Sequence, residues 1–299
     1  MVDFKLLNAS QIDSDKWNDV VFHHGGGIVY SCTWYLNAVT GGKWKGLVFG
    51  DYDAVAALPY AFPVLWHFKI NRPALVQQLG IIGPKHLLPN LIHILQLFTK
   101  EKRLKGVLSM NEHNEPFLEH LKTKRTNMLL PLDQPYEVIR MNYSKKLRNR
   151  INHYLPFVDV GWADQSNVDL FLEKFVTFTL KPAGINGNKL IRCTKKLINI
   201  AFEKNIGKIV FLYKDNQVIA GKFFLQTALR VVLLCSWFDK DYAKYNCQGL
   251  LTDALIKTYA GTQMTLDFEG SDIPGVFEFY VNFNPQIVKY TLLDLAQWR

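Results

Sequence analysis

Gly207-Lys208-Ile209-Val210-Phe211-Leu212-Tyr213-Lys214-Asp215-Asn216-Gln217-Val218-Ile219-Ala220-Gly221 is the stretch that decides the fold. β-Branched and aromatic residues flank a polar four-residue turn, Lys214-Asp215-Asn216-Gln217, the mark of a hairpin. The second strand runs on to Gln226 and a third follows from Arg230 to Phe238, so a β-meander is predicted. Two helices precede it. Val168 to Leu180 stops before Pro182, and Lys189 to Lys204 closes near Asn205 and Gly207. After the meander, Gln248 to Tyr259 places Leu251, Ala254, Leu255 and Tyr259 on one helical face. A strand from Met264 to Phe268, a short helix around Pro274 to Asn282 and a last strand from Gln286 to Leu292 complete this half.

The first half repeats the grammar. Ser14 to Phe22 and Ser31 to Val39 read as short helices, each opened by a serine able to cap free N–H groups. Strands Trp44 to Phe49 and Ala54 to Tyr60 are joined by Gly50-Asp51-Tyr52-Asp53, a tight reversal. Ala74 to Gly80 reads as a strand, Leu88 to Thr99 as an amphipathic helix, and Lys105 to Met110 and Asn127 to Leu132 as extended chain. Pro131, Pro135 and the polar residues between them suit a linker, which predicts domains 1–134 and 135–299. Ser144 opens a basic helix that ends by Pro156. Lys45-Gly46-Leu47-Val48-Phe49, a turn and Ala54-Val55-Ala56-Ala57-Leu58 echo the hairpin of 207–221, as a duplicated domain would.

Composition bounds the function. The 299 residues carry 48% hydrophobic and 20% charged side chains, enough apolar surface for real cores and too ordinary for a disordered chain. Four cysteines (Cys32, Cys193, Cys235, Cys247) show no C-x-x-C spacing, so neither a disulfide framework nor a zinc site is expected, and no metal is. The opening residues lack a basic stretch followed by an apolar run, and the greasiest region, Leu47 to Phe68, is broken by Asp51, Asp53, Pro59 and Pro63. A cytoplasmic protein without membrane insertion is the expectation. The net charge of +9 is uneven: residues 141–299 hold 20 basic against 14 acidic side chains. Arg140, Lys145, Lys146, Arg148 and Arg150 form one cluster, and Lys189, Arg192, Lys195, Lys196, Lys204 and Lys208 a second, facing only Glu203. Each is either a solvated helix face or a surface that attracts polyanions.

Two helices, a meander, a helix and a strand ending in Leu266-Asp267-Phe268-Glu269-Gly270-Ser271 resemble the GNAT acyltransferases. More narrowly, the chain resembles their FemAB-like branch, in which two such domains stand in tandem. Tyr143-Ser144-Lys145-Lys146-Leu147-Arg148-Asn149-Arg150-Ile151 is similar to the basic helix before that branch's second domain. Lys208 to Phe238 carries the likeness further, as do Gly275-Val276, Phe279-Tyr280 and Phe283, and Tyr30-Ser31, Trp34-Tyr35-Leu36 and Gly50-Asp51-Tyr52 in the first half. The resemblance implies an α+β fold of two tandem GNAT-like domains, each a mixed, mostly antiparallel sheet flanked by helices. It also implies an acyl donor, acyl-CoA or aminoacyl-tRNA, and a small-molecule or peptide amine acceptor, with no role for DNA. One departure bears on the donor. GNAT enzymes hold the CoA pyrophosphate on a [QR]-x-x-G-x-[GA] loop at a helix N-terminus. Here Lys244-Tyr245-Asn246-Cys247-Gln248-Gly249-Leu250-Leu251 has a single glycine and does not match.

Acyl transfer to an amine needs a neutral nucleophile, a polarised carbonyl and a proton for the leaving group. Glu269 is the expected residue to orient or deprotonate the acceptor, unless it caps the helix near Pro274 or pairs with a lysine. Tyr280 and Tyr245 can supply a proton at the leaving group, and Asp267, out of phase with Leu266 and Phe268, can line the same cleft. Lys244, Cys247, Gln248 and Gly249, with backbone N–H groups after the strand ending at Phe238, are expected at the donor. Gln77 and Gln78 put two amides in an apolar stretch, either as satisfied structural groups or as substrate contacts between domains. His23-His24-Gly25-Gly26-Gly27 suggests an esterase oxyanion hole, but the chain has no G-x-S-x-G elbow and that reading is excluded. The competing class is a non-catalytic polyanion- or RNA-binding protein, its basic surfaces holding tRNA without chemistry.

Overall fold

The structure, a computed structural model, describes residues 3–64, 67–185, 187–270, 272 and 274–298. Ser271 of the Glu269-Gly270-Ser271 motif lies outside them. The chain packs as two units, Met1–Thr126 with Val288–Arg299 and Asn127–Ile287. The first contains β1 (Phe4–Asn8), α1 (Ser14–His24), α2 (Thr33–Thr40), β2 (Trp44–Phe49), β3 (Ala54–Val64), β4 (His67–Ile70), β5 (Ile81–Ile82), α3 (Leu88–Glu101) and β6 (Lys105–Ser109). β1, β2 and β3 pair antiparallel, as Phe4 with Phe49 and Lys45 with Leu58, so the early hairpin forms as its sequence directs. β4 runs parallel to β6, whose other edge takes the C-terminal strand, Ser109 opposite Leu292. That pairing assigns 288–299 to the first unit, where the sequence put everything after 134 in the second. The Pro131–Pro135 segment is no linker: Leu132 is buried and its N–H bonds Met264 O at 3.0 Å.

Two caps differ from expectation. Asp13, not Ser14, accepts from the first N–H groups of α1, and α2 starts at Thr33 with no side-chain cap, Ser31 Oγ being buried without a partner. Trp17 on α1 packs edge-on against Trp44 at 5.2 Å and donates to Ser31 O at 2.7 Å. Gly46 is required beneath it, because a Cβ there would stand 2.5 Å from the Trp17 ring. Ala74 to Gly80 is not a strand. Leu75 and Gly80 take positive φ (65° and 70°), and side chains replace a ladder: Asn111 Nδ2 bonds Leu79 O at 2.7 Å and Asn114 Oδ1 accepts from Ile81 N at 3.0 Å.

The second unit takes in most of β7 (Lys124–Pro131), α4 (Tyr136–Met141), α5 (Lys145–Tyr154), β8 (Asp159–Ala163), α6 (Val168–Phe175), α7 (Asn188–Glu203), β9 (Gly207–Lys214), β10 (Gln217–Gln226), β11 (Arg230–Phe238), α8 (Cys247–Tyr259), β12 (Thr265–Asp267) and α9 (Pro274–Tyr280). The C-terminal strand is β13 (Gln286–Asp294). β8 to β11 form an antiparallel meander, β12 joins β11 in parallel, and β7 closes on β12 antiparallel. Period-two alternation splits the apolar residues between the faces. Phe211, Phe223 and Trp237 meet Phe171 of α6, while Val210, Leu212, Ala220 and Phe224 join Leu147 and Ile151 of α5 and Leu251 and Leu255 of α8. Ser144 caps α5, as expected, by accepting from Leu147 N at 3.2 Å.

Candidate active site

Parallel pairing between β11 and β12 covers only Arg230–Val232 and Thr265–Asp267. Beyond Val232, β11 runs on without β12 beside it, and this opening positions the site. A cavity of about 630 Å3 lies at the far end of β11, lined by Ser236, Trp237 and Phe238. Side chains of other elements bond this end of β11: Thr179 Oγ1 donates to Ser236 O at 2.9 Å, and Gln248 Nε2 donates to Trp237 O at 2.8 Å. Thr179 and Phe178 are aimed here by a π-helical turn, Val176–Leu180, that continues α6. Phe178 stacks on Trp237 at 5.8 Å, and Pro182, Ala183, Val276 and Phe279 complete a largely apolar wall.

The N-terminus of α8 opens on the cavity through Asn246, Cys247 and Gln248. Asn246 sits in the left-handed region (φ 56°) and its side chain caps none of the helix's free N–H groups. Instead Asn246 Nδ2, Gln248 Oε1 and Trp237 Nε1 are buried without partners, three polar groups left for a ligand or ordered water. Gly249 leaves room for this arrangement, since a Cβ there would stand 2.2 Å from Asn246 Nδ2. Arg150, from basic α5, adds a guanidinium that makes no hydrogen bond or ion pair among the described residues. With Lys146 and Asn246 it also lines a smaller adjoining hollow of about 110 Å3. Positive charge and a helix N-terminus thus face one another across apolar walls, a place suited to a phosphate on a larger organic molecule.

Tyr280, the last residue of α9, forms part of the wall. Burial, reinforced by the charge of Glu269, pushes its hydroxyl above the usual phenol range, so it stays protonated. Behind it lies Lys222 of β10, with 0% exposure, its Nζ 3.1 Å from Thr252 Oγ1 and 3.4 Å from Tyr280 Oη. With no carboxylate to compensate, burial lowers this amine to about 7.

The cavity brings together Phe238, Cys247, Gln248 and Tyr280 from the residues singled out in the sequence. The others lie elsewhere. Asp267 is fully buried in an ion pair with Arg230 (2.9 Å) and accepts from Asn127 Nδ2 (2.9 Å) and Glu269 N (3.1 Å), the environment of a structural carboxylate. Glu269 is half-buried at φ 48° and acts on Tyr280 by its charge, without lining the cavity. Lys244 is exposed and lies 5.2 Å from the Tyr245 ring, while Tyr245 packs on Tyr154. Gln77 and Gln78 belong to the first unit, where Gln78 accepts from Glu112 N at 2.8 Å and donates to Gln77 Oε1 at 3.1 Å. Cys247 donates to Tyr242 O at 3.3 Å, and burial pushes its thiol up to about 11, which leaves it no thiolate character at neutral pH. Lys222, Asn246 and the π-turn were missed, and Arg150 was read only as one member of a basic cluster. The sequence does carry a signal for the first: a lysine amid Val218-Ile219-Ala220-Gly221 and Phe223-Phe224-Leu225 is out of place in a buried strand.

This architecture is that of two tandem GNAT-like domains, and solved structures share its build. The chain is similar to FemX at 11% identity, with 98% of each chain covered and a TM-score of 0.70. It is similar to L-PGS from Bacillus licheniformis at 12% identity, covering 95% of this chain and 92% of that one, with a TM-score of 0.56. A tandem GNAT protein from the clavulanic acid biosynthesis pathway aligns over 99% of both chains at 7% identity, TM-score 0.50. At these identities the likeness speaks for the fold alone. No family model and no curated protein matches the sequence. Among the described residues no helix is long and apolar enough to cross a membrane, and no group of three His, Cys, Asp or Glu is placed to hold a metal ion.

Proposed function

We propose that the chain is an N-acyltransferase that moves an acyl or aminoacyl group from a phosphate-bearing donor, acyl-CoA or aminoacyl-tRNA, to an amine. One observation carries this reading. Arg150, unpaired among the described residues, and the uncapped N-terminus of α8 flank an apolar cavity whose wall includes Tyr280, its hydroxyl protonated. The two positive features would hold the donor's phosphate, the apolar wall its acyl group, and Tyr280 would face the reacting carbonyl. The GNAT and FemX neighbours support both donor types. The exposed Lys145 and Lys146, one turn before Arg150, favour a donor whose phosphates continue outward.

Calorimetric titration with acetyl-CoA, free CoA and a deacylated tRNA mixture at physiological salt tests the reading. It is followed by transfer assays from acetyl-CoA and from aminoacyl-tRNA to a primary alkylamine. Saturable binding of one donor class, weakened about tenfold by Arg150→Ala, is expected. Transfer from neither donor would overturn the proposal. Steeply salt-dependent tRNA retention without transfer would establish the non-catalytic alternative.

A further inference from the structure

The cavity needs a base, and among the described residues none of the usual ones lines it. A primary amine reaches it at neutral pH as an ammonium, which cannot attack a carbonyl until it loses a proton. Among the described residues lining the cavity there is no Asp, Glu or His, and Cys247 is a buried thiol already donating to Tyr242 O. Tyr280 is the lining side chain whose polar atom leads inward to a titratable group. Its neighbour Lys222 is enclosed on every side by groups that give it no counter-charge. α8 presents Thr252, α9 presents Tyr280, and Val210 and Ser236 are its register partners on β9 and β11. Asp253, next along α8, is bonded instead to Tyr136 (2.9 Å), Cys235 is buried and protonated, and the charge of Glu269 bears on Cys235 and Tyr280. Thr252 Oγ1 spends its proton on Gln248 O at 2.7 Å, so it accepts from Lys222 and leaves the amine lone pair free for Tyr280.

We infer that Tyr280 and Lys222 form a two-member proton relay, in which the Tyr280 hydroxyl takes a proton from the incoming ammonium while passing its own to Lys222 Nζ. The inference rests on the proposed transfer reaction and supplies the base it lacks. The tyrosine stays a phenol throughout, consistent with its protonated state, and the lysine enters neutral and leaves the step as an ammonium. The 3.4 Å separation is at the long end of hydrogen-bond reach, as such contacts often are before substrate closes the site. The freed amine then attacks, the C–N bond forms and the carbonyl π pair moves to oxygen. When that pair re-forms the carbonyl, the bond to the donor's sulfur or ribose oxygen breaks. The leaving atom takes the second nitrogen proton, and Lys222 returns the first to water after product departs.

Acceptor chemistry separates this role from a structural one. Transfer at pH 7 is measured with the wild type, Lys222→Met and Tyr280→Phe, using n-butylamine, which must be deprotonated, and trifluoroethylamine, which is already neutral. Lys222→Met should lose on the order of 100-fold with butylamine and stay within a few-fold of wild type with trifluoroethylamine, whereas Tyr280→Phe, which also removes the hydroxyl facing the carbonyl, should lose at least as much with butylamine. The double variant should be no worse than Tyr280→Phe alone, because the two groups act in series. Equal losses of Lys222→Met on both amines, or no loss with butylamine, would overturn the relay while transfer itself survives. A wild type that transfers to neither amine from either donor sinks the parent reading instead, and the relay with it.

Discussion

Lys222 makes a stability prediction that needs no substrate. Burial lowers its amine from 10.5 to about 7. At 1.36 kcal/mol for each pKa unit, holding this side chain as an ammonium in the folded state costs about 5 kcal/mol. Below about pH 7 folded and unfolded chains both carry the proton, so the whole cost is present. Between about 7 and 10.5 folding releases a proton, and wild-type stability therefore rises with pH. Lys222→Met keeps an unbranched side chain of similar length and removes the charge. It also leaves Tyr280 Oη without its amine neighbour, a loss of about 1–2 kcal/mol that does not depend on pH. The variant should be about 3 kcal/mol more stable than wild type at pH 6. Linkage makes that advantage shrink by about 3 kcal/mol by pH 9, to near zero. Urea unfolding followed by circular dichroism at both pH values measures the difference, and every other titrating group cancels between the two proteins. An advantage of the same size at pH 6 and pH 9 would refute the buried, uncompensated amine.

Asp267→Ala should cost about 3–5 kcal/mol, because it removes the buried carboxylate that pairs with the Arg230 guanidinium, 4% exposed; a loss below 1 kcal/mol in urea unfolding would contradict the structural role of this pair. Asp13→Ala should lower stability by about 1 kcal/mol while Ser14→Ala leaves it within a few tenths, since only Asp13 caps α1; the reverse order in thermal melts would restore the serine cap. Gly249→Ala should displace the Asn246 side chain and weaken donor binding several-fold with little change in melting temperature, and Asn246→Ala in the same chain should remove any further penalty from the alanine. Additive losses in titration calorimetry would show that the two residues do not share that space.

What the sequence disclosed follows from how local each signal is. The hairpin at 207–221, the α5 cap at Ser144 and the helix of 247–259 are written in adjacent residues, where turn chemistry, capping and apolar spacing suffice. The duplicated hairpin is legible for the same reason. Gln77 and Gln78 stayed open between structural amide and substrate contact because the partner of Gln78, Glu112, is remote in sequence; two amides in an apolar run look alike whether they serve substrate or backbone. Asp267 misled through a sound argument about alternation. It does face away from Leu266 and Phe268, but Arg230 and Asn127 were waiting on that side.

The site depends on an event that leaves no local mark, the parting of β11 from β12 after Val232. That parting leaves the edge of β11 near Ser236 open, where Thr179 bonds Ser236 O, and α9 comes within reach of β10. A lysine at 222 would be an error in a strand packed against an ordinary apolar face. Here it stands beneath a part of the sheet that opens toward a cavity, with a tyrosine between it and the opening. Its placement there gives the cost of its burial a chemical use, because only a desolvated amine is neutral enough at physiological pH to accept a proton from another amine.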